Sequence, residues 1–376
     1  MINKIKIKSG KVHKTIGGKD VFVVAEIGKN FIRTKEERPV GEYMRNAKEL
    51  INAAAEAGVD AVKFQTHELD DEQLNIPIVA PHFSGSDRYA WVKRNTEATP
   101  IEFWRELKKY SENHGLVFFS TPMSRKAAEK LNNVNVPIWK IASGDMRDYV
   151  LLDYVIETGK PMIISSGQVS LAELDDIVEK IRARGGQFAV LYCVSHYPCP
   201  REYFNLATLE RFKEKYPEAI IGFSDHSLGN EVSLAAVIMG AQIIEKHFSM
   251  SRRLWGADHK VSMTPSEMKS LVKAIRSERC KKVDHLLYYG SKEKELEGAN
   301  NHMRPYFGKT LVASRDIPKG TTLTKDMVYA MRPMMLVKGL PSDKYFDILG
   351  RKTKISIKRY QPITTRALKM DSRGIN

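Results

Sequence analysis

The chain of 376 residues reads as an α/β protein: a (β/α)8 barrel, the TIM arrangement, followed by a small, mostly β domain. Three observations predict this. Eight short apolar runs alternate with amphipathic helical patterns as far as Lys281. No Gly-x-Gly-x-x-Gly follows the first run, which disfavours an open dinucleotide-binding sheet. From Arg304 onward long helical periodicity stops, and Lys and Arg outnumber Asp and Glu by 16 to 5.

The runs predict strands at Val21–Ile27, Ala61–Gln65, Leu116–Ser120, Pro137–Ile141, Pro161–Ser165, Phe188–Cys193, Ala219–Phe223 and Gln242–His247. Runs this continuous suit parallel strands buried on both faces. Helical patterns lie between them, at Glu42–Ala57, Ile101–His114, Leu171–Arg184, Leu206–Lys215, Glu231–Gly240 and Pro265–Lys281. Gly58, Gly115 and Gly159 stand where helices would stop. Val283–Met303 is mixed in charge and reads as a connector. Beyond it, Lys309–Ser314, Asp316–Gly320, Lys354–Ile357 and Pro362-Ile363 read as short β segments, with a helical piece at Asp343–Leu349. The expected division is therefore a barrel over 1–282, a linker over 283–303 and a small domain over 304–376.

Composition narrows the class. No apolar run is long enough to span a membrane, and Met1–Lys6 lacks the apolar core of a signal peptide. Cys193, Cys199 and Cys280 have no metal-site spacing and form no disulfide framework, so a cytoplasmic location is expected. The formal net charge is +15, and 304–376 holds +11 of it. No RNA-binding aromatic motif or zinc-finger spacing accompanies that charge, so nucleic acid is not the expected partner. An anionic small substrate near this domain, or a solvated basic surface, accounts for it.

Active sites of such barrels gather at the C-terminal ends of the strands. Those positions carry Glu26; Lys63 and Gln65; Ser120 and Thr121; Lys140 and Ser143; Ser165 and Ser166; Ser195 and Tyr197; Ser224 and His226; Glu245 and His247. His226 and His247 close successive strands, which lie about 5 Å apart, so both imidazoles can reach one ion. With Asp225 and Asp258-His259 nearby, imidazole plus oxygen donors suits Mn²⁺- or Mg²⁺-like ions, and Zn²⁺ or Fe²⁺ less clearly. Lys63, Lys140 and the serines suit a phosphate or carboxylate. A Schiff-base lysine is the alternative for Lys63. Glu26, ending a buried strand, suits general acid or base work, or else a salt bridge to a barrel lysine.

Ala25-Glu26-Ile27-Gly28, Val62-Lys63-Phe64-Gln65-Thr66, Phe119-Ser120-Thr121-Pro122, Lys140-Ile141-Ala142-Ser143-Gly144-Asp145, Gly222-Phe223-Ser224-Asp225-His226-Ser227 and Ile244-Glu245-Lys246-His247-Phe248 together resemble the sialic acid (nonulosonic acid) synthases. Asp316-Ile317-Pro318-Lys319-Gly320 and Met331-Arg332-Pro333 resemble the antifreeze-like domain that ends those enzymes. The resemblance implies condensation of phosphoenolpyruvate with an N-acetylated amino sugar, N-acetylmannosamine or a 2,4-diacetamido-trideoxyhexose, with release of phosphate. It implies a metal, Mn²⁺ foremost with Mg²⁺ or Co²⁺ as alternatives, on His226 and His247. Phosphoenolpyruvate would be held by Lys63, Lys140, Ser143, Ser165 and Ser224, and Glu26 and Asp258 would be the acid/base pair. Gln65, Thr121, Ser195 and Tyr197 would touch the sugar. A homodimer is implied, in which the antifreeze-like domain covers the partner's barrel and brings Arg332, with Tyr306 nearby, to the sugar in trans.

Departures from the family pattern fall around the acceptor. The chain has Ser195-His196-Tyr197 where Asn usually precedes the aromatic residue, and Asn30-Phe31 where Asn-His is usual. The segment Pro81–Pro100, with Trp91, Arg94 and Asn95, is long. A phosphorylated acceptor would require basic groups beyond Lys63 and Lys140, and the loops show no obvious cluster. Competing readings are another metal-dependent 3-deoxy-sugar-acid synthase or aldolase, and a non-catalytic carbohydrate- or nucleic-acid-binding protein.

Overall fold

A computed structural model describes residues 4–277, 282–294, 296 and 298–369. Cys280 and Lys281 lie outside the described residues, as do Glu295 and Glu297 of the connector. An antiparallel hairpin comes first, β1 (Ile5–Ser9) and β2 (Val12–Ile16). Eight strands follow: β3 (Phe22–Gly28), β4 (Ala61–Thr66), β5 (Val117–Pro122), β6 (Trp139–Ile141), β7 (Met162–Ser165), β8 (Phe188–Cys193), β9 (Ile220–Asp225) and β10 (Ile243–His247). They form one parallel sheet in the order β5-β4-β3-β10-β9-β8-β7-β6. β5 and β6 lie against each other and close the ring. Each of the eight expected strands is present within a few residues of its predicted bounds.

Helices follow each strand and cover the outside of the ring, packed by apolar residues at helical spacing. In Val40–Ala57, Ala47, Leu50, Ile51 and Ala54 face inward. Local chemistry fixes the ends. Ser170 and Glu173 form a reciprocal cap on Leu171–Arg182, and Thr264 and Glu267 do the same for Pro265–Arg276, with Pro at the first turn. The helix expected to reach Lys281 is thus described only as far as Arg276.

The hairpin was not anticipated. Its inward residues Ile5, Ile7, Val12 and Ile16 join Phe22, Val24, Val117, Ile163 and Ile220 in a separate apolar cluster. It plugs the N-terminal mouth of the barrel and leaves the opposite mouth for polar side chains.

Among the described residues of the small domain only β11 (Thr310–Ala313) and β12 (Val328–Met331) form a ladder, antiparallel. The other expected β segments pair through isolated bridges, Ile317 with Ile357 and Val312 with Pro362. The helical piece is present at Tyr345–Ile348. A helix, Gly298–Phe307, runs across the expected boundary between linker and small domain. Gly298, Asn300, Asn301 and Pro305 are poor helix formers, which hid it in the sequence. Among the described residues no helix is long and apolar enough to cross a membrane.

The small domain lies on the C-terminal mouth of its own chain's barrel. Arg332 donates its backbone N–H to Glu72 O at 2.8 Å, and Leu74 donates to Arg332 O at 2.9 Å. Buried charges join the two units. Arg332 pairs with Asp145 at 2.5 Å and Glu72 at 3.3 Å, and Lys309 pairs with Asp145 at 2.9 Å and Asp148 at 2.7 Å.

Beside this junction Asp71 is buried. It accepts the Lys126 N–H at 2.8 Å, while its Oδ1 has no hydrogen-bond partner. Burial pushes its carboxyl up to about 7, against the pull of Ser124, Lys126 N–H, Lys309 and Arg125. An unfolded Asp titrates near about 4, so between pH about 4 and about 7 the folded state keeps a proton that the unfolded state has lost. Stability from this group is full below that window and is lost as pH rises through it. Asp71→Asn is therefore expected to melt higher than wild type at pH 8, with the difference gone near pH 4. Thermal denaturation at the two pH values checks this, and a pH-independent difference contradicts it.

Candidate active site

The C-terminal mouth opens into a cavity of about 830 Å³ including its entrance. The register sets its floor. His247 of β10, Glu26 of β3 and Lys63 of β4 are successive partners across three neighbouring strands. The register shifts between Glu26 and Gly28, a bulge of the kind that re-aims a side chain at a barrel rim. Gly28 has φ +55°, and a Cβ there would lie 3.1 Å from Glu26 Oε1, 3.3 Å from Asp258 Oδ2 and 3.3 Å from Gln65 Nε2. The glycine is thus required both by its backbone and by the three polar side chains that converge on it.

Lys63 pairs with Glu26 at 2.7 Å and Glu245 at 3.5 Å, and donates to Thr121 Oγ1 at 3.2 Å. Lys140 donates to Ser165 Oγ at 2.6 Å and lies 3.8 Å from Glu245. Ser224 donates to Glu245 at 3.2 Å, and Gln65 Nε2 donates to Glu26 Oε1 at 2.8 Å. Ser143 Oγ accepts the Gly167 N–H at 3.0 Å. The salt bridge foreseen for Glu26 is therefore present, and it sits inside the cavity, so it does not compete with a chemical role.

Burial works against the Lys63 charge, but Glu245 and Glu26 outweigh it and hold the ammonium above its ordinary range. A Schiff base needs the free amine, which this setting disfavours at Lys63. Burial lowers Lys140 and raises Glu26, the latter against the pull of Lys63. Burial would also raise Asp258, but Lys29, His247 and His82 bring it down to about 2. Of these two carboxyls Glu26 keeps its proton more readily than usual and Asp258 gives it up more readily.

The rings of His226 and His247 lie 5.4 Å apart, with Tyr197 at 4.2 Å from His226 and 6.1 Å from His247. His226 Nδ1 is 2.8 Å from Val194 O. Donation to that carbonyl orients the ring with Nε2 as the other position, and against burial Cys193, Val194 O and Asp225 raise its affinity for a proton, with which a metal would compete. Burial brings His247 down to about 3, the neutral form a metal requires. Buried atoms without a hydrogen-bond partner sit alongside: His247 Nδ1, Glu245 Oε2 and Asp258 Oδ2. Among the described residues no three His, Cys, Asp or Glu side chains enclose an ion position. The donor set fits a divalent cation held by two imidazoles, with the remaining positions open to substrate oxygens.

Of the residues expected at the site, Glu26, Lys63, Gln65, Thr121, Lys140, Ser143, Ser165, Tyr197, Ser224, His226, His247, Asp258 and Arg332 all line this one cavity. Two do not. Ser195 lies behind the wall, where a Cβ on Gly167 would meet its Oγ at 2.5 Å. Tyr306 is replaced by Met303 and Phe307, the members of its helix that face the cavity. The cavity is also lined by Glu245, already placed at a strand end in the sequence, and by residues to which sequence reasoning assigned no role: Lys29, His67, His82, Arg88, Asp145 and Cys193. Glu245 carried a signal, since it shares a strand face with His247. Cys193 ends β8 and Arg88 opens the helix Arg88–Ala98, and the rest lie in connections whose course no periodicity reports. Trp91 and Arg94 of the long segment are structural. Trp91 packs on Phe83 and Trp255, and Arg94 bonds Tyr43 Oη and the carbonyls of Thr34, Lys35 and Glu36.

The NeuB family pattern matches residues 50–284, and the SAF domain pattern matches 308–369. The chain belongs to the NeuB family. It is 32% identical to the N-acetylneuraminate-9-phosphate synthase of Mus musculus, covering 96% of each chain. It is 32% identical to the pseudaminic acid synthase of Helicobacter pylori, covering 85% of this chain and 92% of that one. The crystal structure of the spore coat polysaccharide biosynthesis protein SpsE from Bacillus subtilis superposes with a TM-score of 0.78 at 29% identity, over 98% of this chain and 100% of that one. The SAF domain of this NeuB-family chain is thus the small β domain that carries Arg332 to the cavity.

Proposed function

We propose that the cavity condenses phosphoenolpyruvate with an N-acetylated amino sugar, giving a nine-carbon sialic acid-type acid and phosphate. The observation that carries this reading is the convergence of Lys63, Lys140, Glu26, Glu245, His226 and His247 at one buried barrel mouth. Relatives named as synthases of N-acetylneuraminate-9-phosphate and of pseudaminic acid support it. Acceptors of the N-acetylmannosamine and 2,4-diacetamido-trideoxyhexose types are both consistent with those names.

Lys63 and Lys140, with the hydroxyls of Ser143, Ser165 and Ser224, hold the phosphate and carboxylate of phosphoenolpyruvate. A divalent cation on His226 and His247, Mn²⁺ with Mg²⁺ or Co²⁺ as alternatives, would supply Lewis-acid polarisation of the acceptor's aldehyde. Carbon 3 of phosphoenolpyruvate attacks that aldehyde, water adds at carbon 2, and the bond from carbon 2 to the phosphate oxygen then breaks. Glu26 takes the proton of the attacking water at its raised carboxylate, and Gln65 keeps that carboxylate oriented. Asp258, ionised, orients an acceptor hydroxyl. Arg332 and the Phe307 ring cover the mouth and exclude water.

The assembly proposed is a homodimer in which the SAF domain is exchanged: the seat that this chain's SAF domain takes on its own barrel, through Arg332, Glu72 and Asp145, would be taken by the partner subunit's SAF domain. A reducing, cytoplasmic setting is proposed, in which Cys193 and Cys199 stay as thiols.

The test is phosphate release from phosphoenolpyruvate with and without an N-acetylated amino sugar, in chelator and after adding Mn²⁺. Release is expected only with acceptor and metal together. Full release without acceptor contradicts the condensation, and full activity in chelator contradicts the metal.

A further inference from the structure

The long segment after β4 sends two side chains into the cavity, His82 and Arg88. Arg88 opens the helix Arg88–Ala98 and is 7% exposed. The carboxylate beside it in sequence, Asp87, is already used, accepting the N–H groups of Tyr89 and Ala90 as the helix cap. The ion contact of Arg88 is to Glu72, at 3.7 Å, too long for a hydrogen bond. Glu72 itself is engaged by His67 at 2.7 Å and by Arg332 at 3.3 Å. Arg88 Nε is buried without a hydrogen-bond partner, and the guanidinium lies 5.3 Å over the Phe307 ring. Asp145 and Asp258 also act on its charge, but from further off, so a buried guanidinium with five N–H donors is left without the hydrogen-bond partners such a group requires.

His82 is its neighbour. Its Nδ1 is also buried without a partner, and its ring is 5.5 Å from Phe307 and 6.0 Å from Tyr197. Tyr197 in turn lies 4.2 Å from His226. Tyr197, His82 and Phe307 therefore form an aromatic wall that starts at the histidine pair and ends at Arg88. An acceptor with its aldehyde at the histidine pair would lie along this wall with its far end at Arg88.

We propose that Arg88, assisted by His82, is a subsite for an acidic substituent, a phosphate ester or a carboxylate, on the end of the acceptor remote from its aldehyde. The proposal rests on the reading that the cavity holds an amino-sugar aldehyde. A neutral carbonyl would satisfy N–H donors but not the charge, whereas an anion on a planar guanidinium does both, with two parallel bonds. These residues provide a basic group beyond Lys63 and Lys140 that no pattern in the sequence revealed. Trp91, Arg94 and Asn95, which made the segment conspicuous in the sequence, hold it in place.

The experiment compares kcat/KM for N-acetylmannosamine, its 6-phosphate and its 6-carboxylate at saturating phosphoenolpyruvate, in wild type, Arg88→Gln, Arg88→Lys and His82→Ala. Wild type is expected to prefer one of the two acids over the neutral sugar by at least about tenfold, and which acid wins distinguishes phosphate from carboxylate. Arg88→Gln is expected to reduce that preference by about 10- to 100-fold, the range for a lost charge-assisted contact, and Arg88→Lys to retain part of it. Wild-type turnover of the neutral sugar, or of a neutral 2,4-diacetamido sugar, equal to or above both acids overturns the subsite and leaves the condensation standing. An equal loss on all acceptors in Arg88→Gln also overturns it. No phosphate release with any acceptor contradicts the condensation itself. The wild-type comparison decides the matter even where a substitution impairs folding.

Discussion

Replacing His247 with alanine is expected to lower acceptor-dependent phosphate release by at least about 10³-fold while the protein stays folded. Lewis-acid polarisation of a carbonyl contributes several kcal/mol of transition-state stabilisation, and about 4 kcal/mol corresponds to three decades in rate. Folding should tolerate the change, because His247 ends β10 with its side chain in the cavity and its Nδ1 has no hydrogen-bond partner. Metal content, melting temperature and turnover, measured together, check the expectation. A folded His247→Ala protein that keeps both its metal and its turnover contradicts the assigned ligand.

Replacing Arg332 with alanine is expected to have the largest structural effect. Arg332 is 1% exposed and bridges Glu72 and Asp145, themselves 0% and 1% exposed. Its removal takes one partner from each of two buried carboxylates, leaving Asp145 to Lys309 and Glu72 to His67, a change whose upper bound is the about 3–5 kcal/mol of a buried pair that loses one member. Since the bridge fastens the SAF domain to the barrel, the loss should appear as a loosened domain, faster proteolysis between the two units and a higher KM for the sugar. Mixing Arg332→Ala with His247→Ala subunits tests the proposed exchange. In an exchanged dimer the sound barrel of one chain is covered by the sound SAF domain of the other, so activity returns. If each SAF domain serves its own barrel, every site keeps one lesion, and no activity returns after verified subunit mixing.

The barrel was legible because its parallel strands are buried on both faces and read as unbroken apolar runs, as in Val21–Ala25 and Phe188–Leu191. The site was legible where the fold rule fixes position: a polar residue ending such a run, such as Lys63, Lys140 or His247, has only the cavity to enter. The hairpin at Ile5–Ile16 also carried a signal, apolar residues alternating with Lys, and went unrecognised because the segment was weighed only as a leader. Tyr306 was off by one helical position. Met303 and Phe307 are four residues apart on one face of Gly298–Phe307, but Gly298 and Pro305 hid that helix. His82 and Arg88 were beyond reach of the sequence, because the long connection after β4 has no period to aim them, whereas Lys29 directly follows β3 and falls under the same rule as Lys63.

The central claim is that this barrel mouth joins the three carbons of phosphoenolpyruvate to an amino sugar. The most direct measurement is the mass of the product formed from phosphoenolpyruvate and each N-acetylated acceptor, read beside the phosphate released. The account predicts an acid heavier than its acceptor by one pyruvate unit, formed mole for mole with phosphate. Free pyruvate beside unchanged acceptor would contradict it.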